Sequence, residues 1–178
     1  KDTEVQAPPY NRSVTSLSLR NVGFAESASV GLEDALKCGF PLRKLVLDGN
    51  GDLSSNDVKF IWRTLRIYGK DLTDLSFSHN PITITQFEIL LRTLGENTVP
   101  VRRLWLACCG ITKAHMALCD NNLAKNRSLE LLDIAGLRLC LRPSPSLLFA
   151  LTCATLHSIV LGMRRGSVVL GSICYLLL

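Results

Sequence analysis

The sequence predicts an α/β solenoid, with a parallel sheet along one side and helices along the other, and three observations point to it. An apolar-x-x-apolar-x-apolar core recurs six times at nearly constant spacing. A second recurring signature, x-x-[Asn or Cys]-x-apolar, follows the core, and a stretch with apolar residues at helical spacing follows that. A fixed period of roughly 20 to 50 residues decides an architecture before any local reading does, because one such unit cannot bury its apolar face alone and must stack on neighbours.

The cores are Val14-Leu17-Leu19, Leu42-Leu45-Leu47, Leu72-Leu75-Phe77, Val101-Leu104-Leu106, Leu129-Leu132-Ile134 and Leu156-Ile159-Leu161. Their starts are separated by 28, 30, 29, 28 and 27 residues. This divides the chain into an N-terminal extension (1–13), a repeat domain (14–163) and an apolar C-terminal tail (164–178).

The second signature reads Asn50 with Leu53, Asn80 with Ile82, and Cys109 with Ile111. Where a chain leaves a strand and turns inward, its buried peptide groups need partners, and an Asn amide both donates and accepts. Asn50, Asn80 and Cys109 are therefore expected as rungs of a structural ladder. The pattern resembles the leucine-rich repeat, L-x-x-L-x-L-x-x-N/C-x-L, and its long period resembles the ribonuclease-inhibitor-like subclass. The resemblance implies a right-handed horseshoe segment with its sheet concave and its helices convex. Similar arrays occur in ribonuclease inhibitor, the Ran GTPase-activating protein, nucleotide-binding leucine-rich-repeat sensors and CARMIL-type regulators. Val22, Leu137 and Arg164 depart from the ladder pattern in the first, fifth and sixth units.

Helices are expected after each signature. In the second unit Ser54 or Ser55 can cap a segment burying Val58, Ile61 and Leu65, with Lys59, Arg63 and Arg66 directed elsewhere. In the third, Thr85-Gln86-Phe87-Glu88 matches a capping box ahead of Leu90, Leu91 and Leu94. The fourth offers Thr112 as cap with Met116, Cys119 and Leu123 inward, and the first a weaker helix around Leu32, Ala35 and Leu36.

Each strand returns through a helix, so the strands must run parallel, with helices packed on one side. Strands sit about 4.8 Å apart and helices about 10 Å, so the stack bends with the sheet inside the curve. Alternation along each strand puts the core leucines inward and core positions three, five and seven into the concavity. Of these, Arg20, Lys44, Asp48, Asp74, Arg103, Trp105, Leu131 and Asp133 are the candidate partner-binding residues, accompanied by the smaller Ser16, Ser18, Val46, Ser76, Ser78, Ala107, Ala135, Ser158, Val160 and Gly162. Trp105, a large aromatic between Arg103 and Leu131, has the composition of a binding hot spot, although packing across neighbouring strands accounts for it too. The charges suit partner selection or plain cross-strand ion pairs. His79, just past the third strand, reads more simply as an exposed turn residue than as a ligand.

Apolar residues make up 47% of the 178-residue chain and charged residues 20%, which suits a folded globular body. The net charge of +5 is spread in pairs (Arg43-Lys44, Arg102-Arg103, Arg164-Arg165) among carboxylates, so no nucleic acid partner is expected. Seven cysteines without a C-x-x-C pair fit neither a disulfide framework nor a zinc ribbon, and they favour a reducing, cytoplasmic setting. The chain opens Lys-Asp-Thr-Glu with no apolar stretch behind a basic head, as expected of a fragment or of a protein whose signal segment was removed. Asn11-Arg12-Ser13 and Asn126-Arg127-Ser128 match the glycosylation acceptor pattern, a motif that recurs by chance.

Cys108, Cys109, His115 and Cys119 are the one cluster of metal-ligand types, and the repeat accounts for them better, with Cys109 on the ladder and Cys119 in the inward stripe. No Gly-rich phosphate loop, G-x-S-x-G or H-E-x-x-H is present, and His79, His115 and His157 fall in different units. No cofactor, metal or catalytic group is expected. Residues 147–163 read either as a membrane segment or as the sixth repeat, and the repeat is preferred, because the stretch is short for a span and contains Thr152, Thr155, His157 and Ser158. Membrane contact is expected only through 147–178, if at all. The preferred function is a non-enzymatic, protein-binding module of a larger scaffold or sensor. The alternatives are a membrane-tethered receptor-like fragment and a GTPase-activating protein acting through Arg20 or Arg103.

Overall fold

The computed structural model describes residues 13–23, 26–51, 53–123 and 125–136, together with the backbone of two later strands, 158–163 and 166–171. The extension 1–12, the ladder positions 137 and 164, and most of the sixth unit lie outside the described residues.

Strands and helices alternate along the chain. The order is β1 (Ser16–Ser18), α1 (Glu26–Lys37), β2 (Lys44–Val46), α2 (Ser55–Tyr68), β3 (Asp74–Ser76), α3 (Ile84–Gly95), β4 (Arg103–Trp105), α4 (Lys113–Met116), α5 (Cys119–Leu123), β5 (Leu131–Asp133), β6 (Ser158–Met163) and β7 (Gly166–Gly171). The strands form one sheet in sequence order. β1 to β6 pair in parallel, and β7 turns back antiparallel on β6. The expected apolar tail therefore begins with a hairpin strand at the sheet edge.

The register is lateral: Leu17 faces Leu45, which faces Leu75, then Leu104, Leu132 and Ile159. Equivalent residues of successive units thus stand side by side. Leu45, Leu75 and Leu104 are all 0% exposed, and Leu47, Phe77, Leu106 and Ile134 lie in the same core. They pack with Ile61 and Leu65 of α2 and Leu90 and Leu94 of α3, so the helices cover the leucine side of the sheet. Burial of each such side chain contributes about 1.5–3 kcal/mol. The end unit is looser, and its Leu17 and Leu19 are only half-buried.

The helices follow the expected stripes. Val58, Ile61 and Leu65 are buried while Lys59, Arg63 and Arg66 are exposed, and Met116, Cys119 and Leu123 all point inward. Two details differ from the sequence reading. The cap of α3 is Thr83, with Gln86 completing the box, two residues before the expected Thr85-Glu88 pair. Gln86 prevails because its amide keeps a donor that reaches back to the Leu53 carbonyl of the preceding unit at 2.9 Å, which a carboxylate at 88 could not supply. The fourth unit's helix is broken into α4 and α5 by a tight turn in which Leu118 N–H donates to the His115 carbonyl at 3.0 Å.

Among the described residues no helix is long and apolar enough to cross a membrane.

Candidate functional site

The site is built by the turn that ends each strand. Backbone pairing continues past the strands, with Asn21, Gly49, His79 and Cys108 donating to the Asp48, Ser78, Ala107 and Ala135 carbonyls of the next unit at 2.7–3.0 Å. Those same four residues, with Gly136, have φ between +51° and +79°. This left-handed step turns the chain inward and is costly for a side-chain-bearing residue, by about 1–2 kcal/mol. After Gly49, His79 and Cys108 it delivers the next residue, Asn50, Asn80 or Cys109, into the core.

At that position Asn50 donates to the Leu19 and Leu47 carbonyls at 2.7 and 2.9 Å and accepts the Val22 N–H at 3.0 Å. Asn80 donates to the Leu47 and Phe77 carbonyls, both at 2.8 Å. Cys109 donates its thiol to the Phe77 carbonyl at 3.1 Å. Each rung thus bridges its own unit and the preceding one. Burial pushes the Cys109 thiol up to about 12, against an opposing pull from the Asn80 and His79 backbone N–H groups, so it stays protonated and able to donate. Asn50, Asn80 and Cys109 are buried at these turns, whereas Val22 is exposed and meets Asn50 through its backbone N–H alone.

A second ladder was not foreseen. His115 accepts the Thr112 N–H on Nδ1 at 3.2 Å, which requires that Nδ1 carry no proton, and Nε2 then donates to the Ile82 carbonyl at 3.0 Å. Both nitrogens of His115 are thereby committed to structure, and Cys119 is wholly buried. The signal for it was the spacing Ser54-x-x-Asp57, Thr83-x-x-Gln86 and Thr112-x-x-His115, in register every 29 residues. Asn126, one of the two glycosylation matches, is 0% exposed with its amide donating to the Leu94 carbonyl at 2.6 Å. Asn11 lies outside the described residues.

The helix-free face of the sheet carries the expected partner-binding residues, with one correction. Core positions three, five and seven were expected to face solvent, yet Val46, Asp48, Asp74, Ser76 and Ser78 are buried. Short side chains on closely spaced strands lie beneath the longer ones of their neighbours. Arg20 Nε sits 3.2 Å from Asp48 Oδ2, and Ser76 Oγ donates to Asp48 Oδ1 at 2.5 Å. Arg103 grips Asp74 through Nε at 2.6 Å and a terminal nitrogen at 2.9 Å, while Thr73 Oγ1 donates to the same carboxylate at 2.7 Å. Four of the candidate charges are therefore cross-strand pairs, each between equivalent positions of adjacent units. Lys44 is exposed, and among the described residues it has no ion-pair partner. Asp133 is half-buried and accepts the Ala135 N–H at 2.9 Å.

A depression of about 580 Å³ opens on this face. Val46, Asp48, Ser76 and Ser78 line it from beneath, together with Arg20, Lys44, Trp105 and Ala107. Asn21, Gly49 and His79, three of the left-handed residues, line it too. Arg20, Lys44, Asp48 and Trp105 of the expected set are thus brought together. Asp74, Arg103, Leu131 and Asp133 lie outside it. Asn21 and His79 entered through backbone conformation, and the sequence hint was that Gly49 and Gly136 stand in register with them.

No protein-family model matches the chain, and no curated protein matches it.

Proposed function

We propose that the chain is a segment of a right-handed leucine-rich-repeat solenoid that binds a protein partner on the concave, helix-free side of its sheet and performs no chemistry of its own. The lateral register of the leucines and the Asn50, Asn80 and Cys109 rungs support the family reading. The observation that carries the binding reading is Trp105. It is only half-buried, beside a depression of about 580 Å³ on the side of the sheet that the helices leave uncovered. A rigid aromatic next to a concavity is the usual anchor of a protein interface.

The commitments of the other groups support a binding rather than a catalytic role. Arg20 and Arg103 are held by Asp48 and Asp74, which leaves the GTPase-activating reading with less support than the docking one. Cys38, Cys108 and Cys109, free thiols among the described residues, suit a cytosolic setting, within a larger scaffold or sensor.

The test is affinity capture from cell lysate with the native chain, Trp105→Glu, and Lys59→Glu on the exposed side of α2 as control. Trp105→Glu is expected to lose proteins that Lys59→Glu retains. Identical captured sets from all three would overturn the reading.

A further inference from the structure

We infer that the depression receives a carboxylate from an acidic, extended segment of the partner protein, with an apolar neighbour of that carboxylate lying against Trp105. This rests on the docking reading above and names the chemistry of the occupant.

Charge is ordered vertically in the depression. The side chain of Arg20 is 62% exposed and that of Asp48 13%, so the anion lies at the floor and the cation above it. Asp48 is engaged on both oxygens, by a hydrogen bond from Ser76 Oγ on one and by the ion pair with Arg20 on the other. Arg20 approaches Asp48 through Nε, which leaves the terminal nitrogens of its fork to bind an incoming acceptor. A guanidinium already oriented by a buried carboxylate loses little further freedom on binding, and its fork suits a carboxylate. Lys44, on the strand next to β1, adds a second exposed cation with no carboxylate of its own among the described residues.

Two cations over one neutralised anion leave the depression one positive charge in excess, which matches a single acidic side chain rather than a polyanion. A nucleic acid backbone running along the sheet would meet Asp133, half-exposed on β5, opposite Trp105 in the register. The volume suits one or two side chains with the peptide between them.

The probe is a phage-displayed library of random dodecapeptides, selected on the full native chain. Selected sequences are expected to be enriched in Asp or Glu beside an apolar residue. A synthetic peptide of the commonest sequence should bind Arg20→Gln/Lys44→Gln about tenfold or more weakly than the native chain, with affinity falling as salt rises. Lys44→Gln alone serves if thermal unfolding shows the double variant to be misfolded, and it should weaken binding in the same direction. Selection without acidic enrichment, or peptide affinity indifferent to these changes while Trp105→Glu abolishes it, overturns the acidic partner and leaves docking standing. No selected peptide, or a peptide indifferent to Trp105→Glu as well, overturns both.

Discussion

The imidazole of His115 occupies in the fourth unit the place that the carboxamide of Gln86 occupies in the third. Each accepts the backbone N–H of the threonine three residues earlier, Thr112 or Thr83, and each donates to a carbonyl one unit back, Ile82 or Leu53. A neutral imidazole and an amide present one acceptor and one donor at similar separation, so the two are interchangeable in this role. His115→Gln is expected to leave stability within about 0.5 kcal/mol of the native chain, and His115→Ala to cost about 1–3 kcal/mol, because a buried carbonyl loses its donor. Urea unfolding followed by circular dichroism distinguishes them. Equal losses from both would mean that ring packing against Phe87, 5.5 Å away, matters and the hydrogen bonds do not.

Asn50→Ala leaves the Leu19 carbonyl without its side-chain donor and the Val22 N–H without its acceptor, while the Leu47 carbonyl keeps the Asn80 amide. The expected cost is about 2–4 kcal/mol. Asn50→Asp should be at least as damaging, since it keeps the shape and can still accept from Val22 but has no donor for the carbonyls. A nearly native Asn50→Asp would remove the hydrogen-bond account of the ladder.

Cys109 gives the ladder a pH dependence. Its folded value of about 12 lies above the ordinary thiol value of 9.0, so the folded state holds the proton that the unfolded chain releases. The contribution is complete below pH 9 and is lost as pH rises from there toward 12. Cys109→Asn supplies a non-titrating donor at the same rung, so the stability difference between variant and native chain should widen in the variant's favour across that range. A difference that stays constant from pH 8 to 11 in denaturant titrations would refute it.

Gly49 and Gly110 share a left-handed backbone, at φ +68° and +72°, but not the same surroundings. A methyl on Gly110 would meet nothing within 4 Å, whereas one on Gly49 would lie 2.0 Å from Asn21 Oδ1. Gly110→Ala is expected to cost about 1–2 kcal/mol from conformation alone, and Gly49→Ala distinctly more. Combining Gly49→Ala with Asn21→Ala should recover the excess, read as a coupling energy in a double-mutant cycle. Additive losses would show that Asn21 moves aside without cost.

The strands, the ladder and the inward helix stripes were legible because each follows a period that chemistry imposes: two for a strand, 3.6 for a helix, about 28 for the stack. The cover over Asp48 and Asp74 was harder to read, since exposure on a sheet depends on the neighbouring strand. It was nonetheless implicit in the alignment of units, where Arg20 and Asp48 share position seven and Asp74 and Arg103 share position three. Cys108 in left-handed conformation was not readable from residue type, and His79 only faintly, since His is enriched in that region but still rare there; the glycines aligned with them marked the place. The hairpin strand β7 left no trace, since its three consecutive apolar residues, Val168 to Leu170, show no alternation to follow.

The left-handed residues 21, 49, 79, 108 and 136 each fall seven places after the start of their unit, while the stretch from there to the next unit ranges from 21 to 23 residues across the first four units. Among these described units all variation in length is thus absorbed on the helical side, and the sheet side is a ruler graduated at about 4.8 Å. Loops can lengthen on the outer side without shifting any residue along the face, so foreign segments grafted between α2 and β3, or α3 and β4, should leave its spacing unaltered.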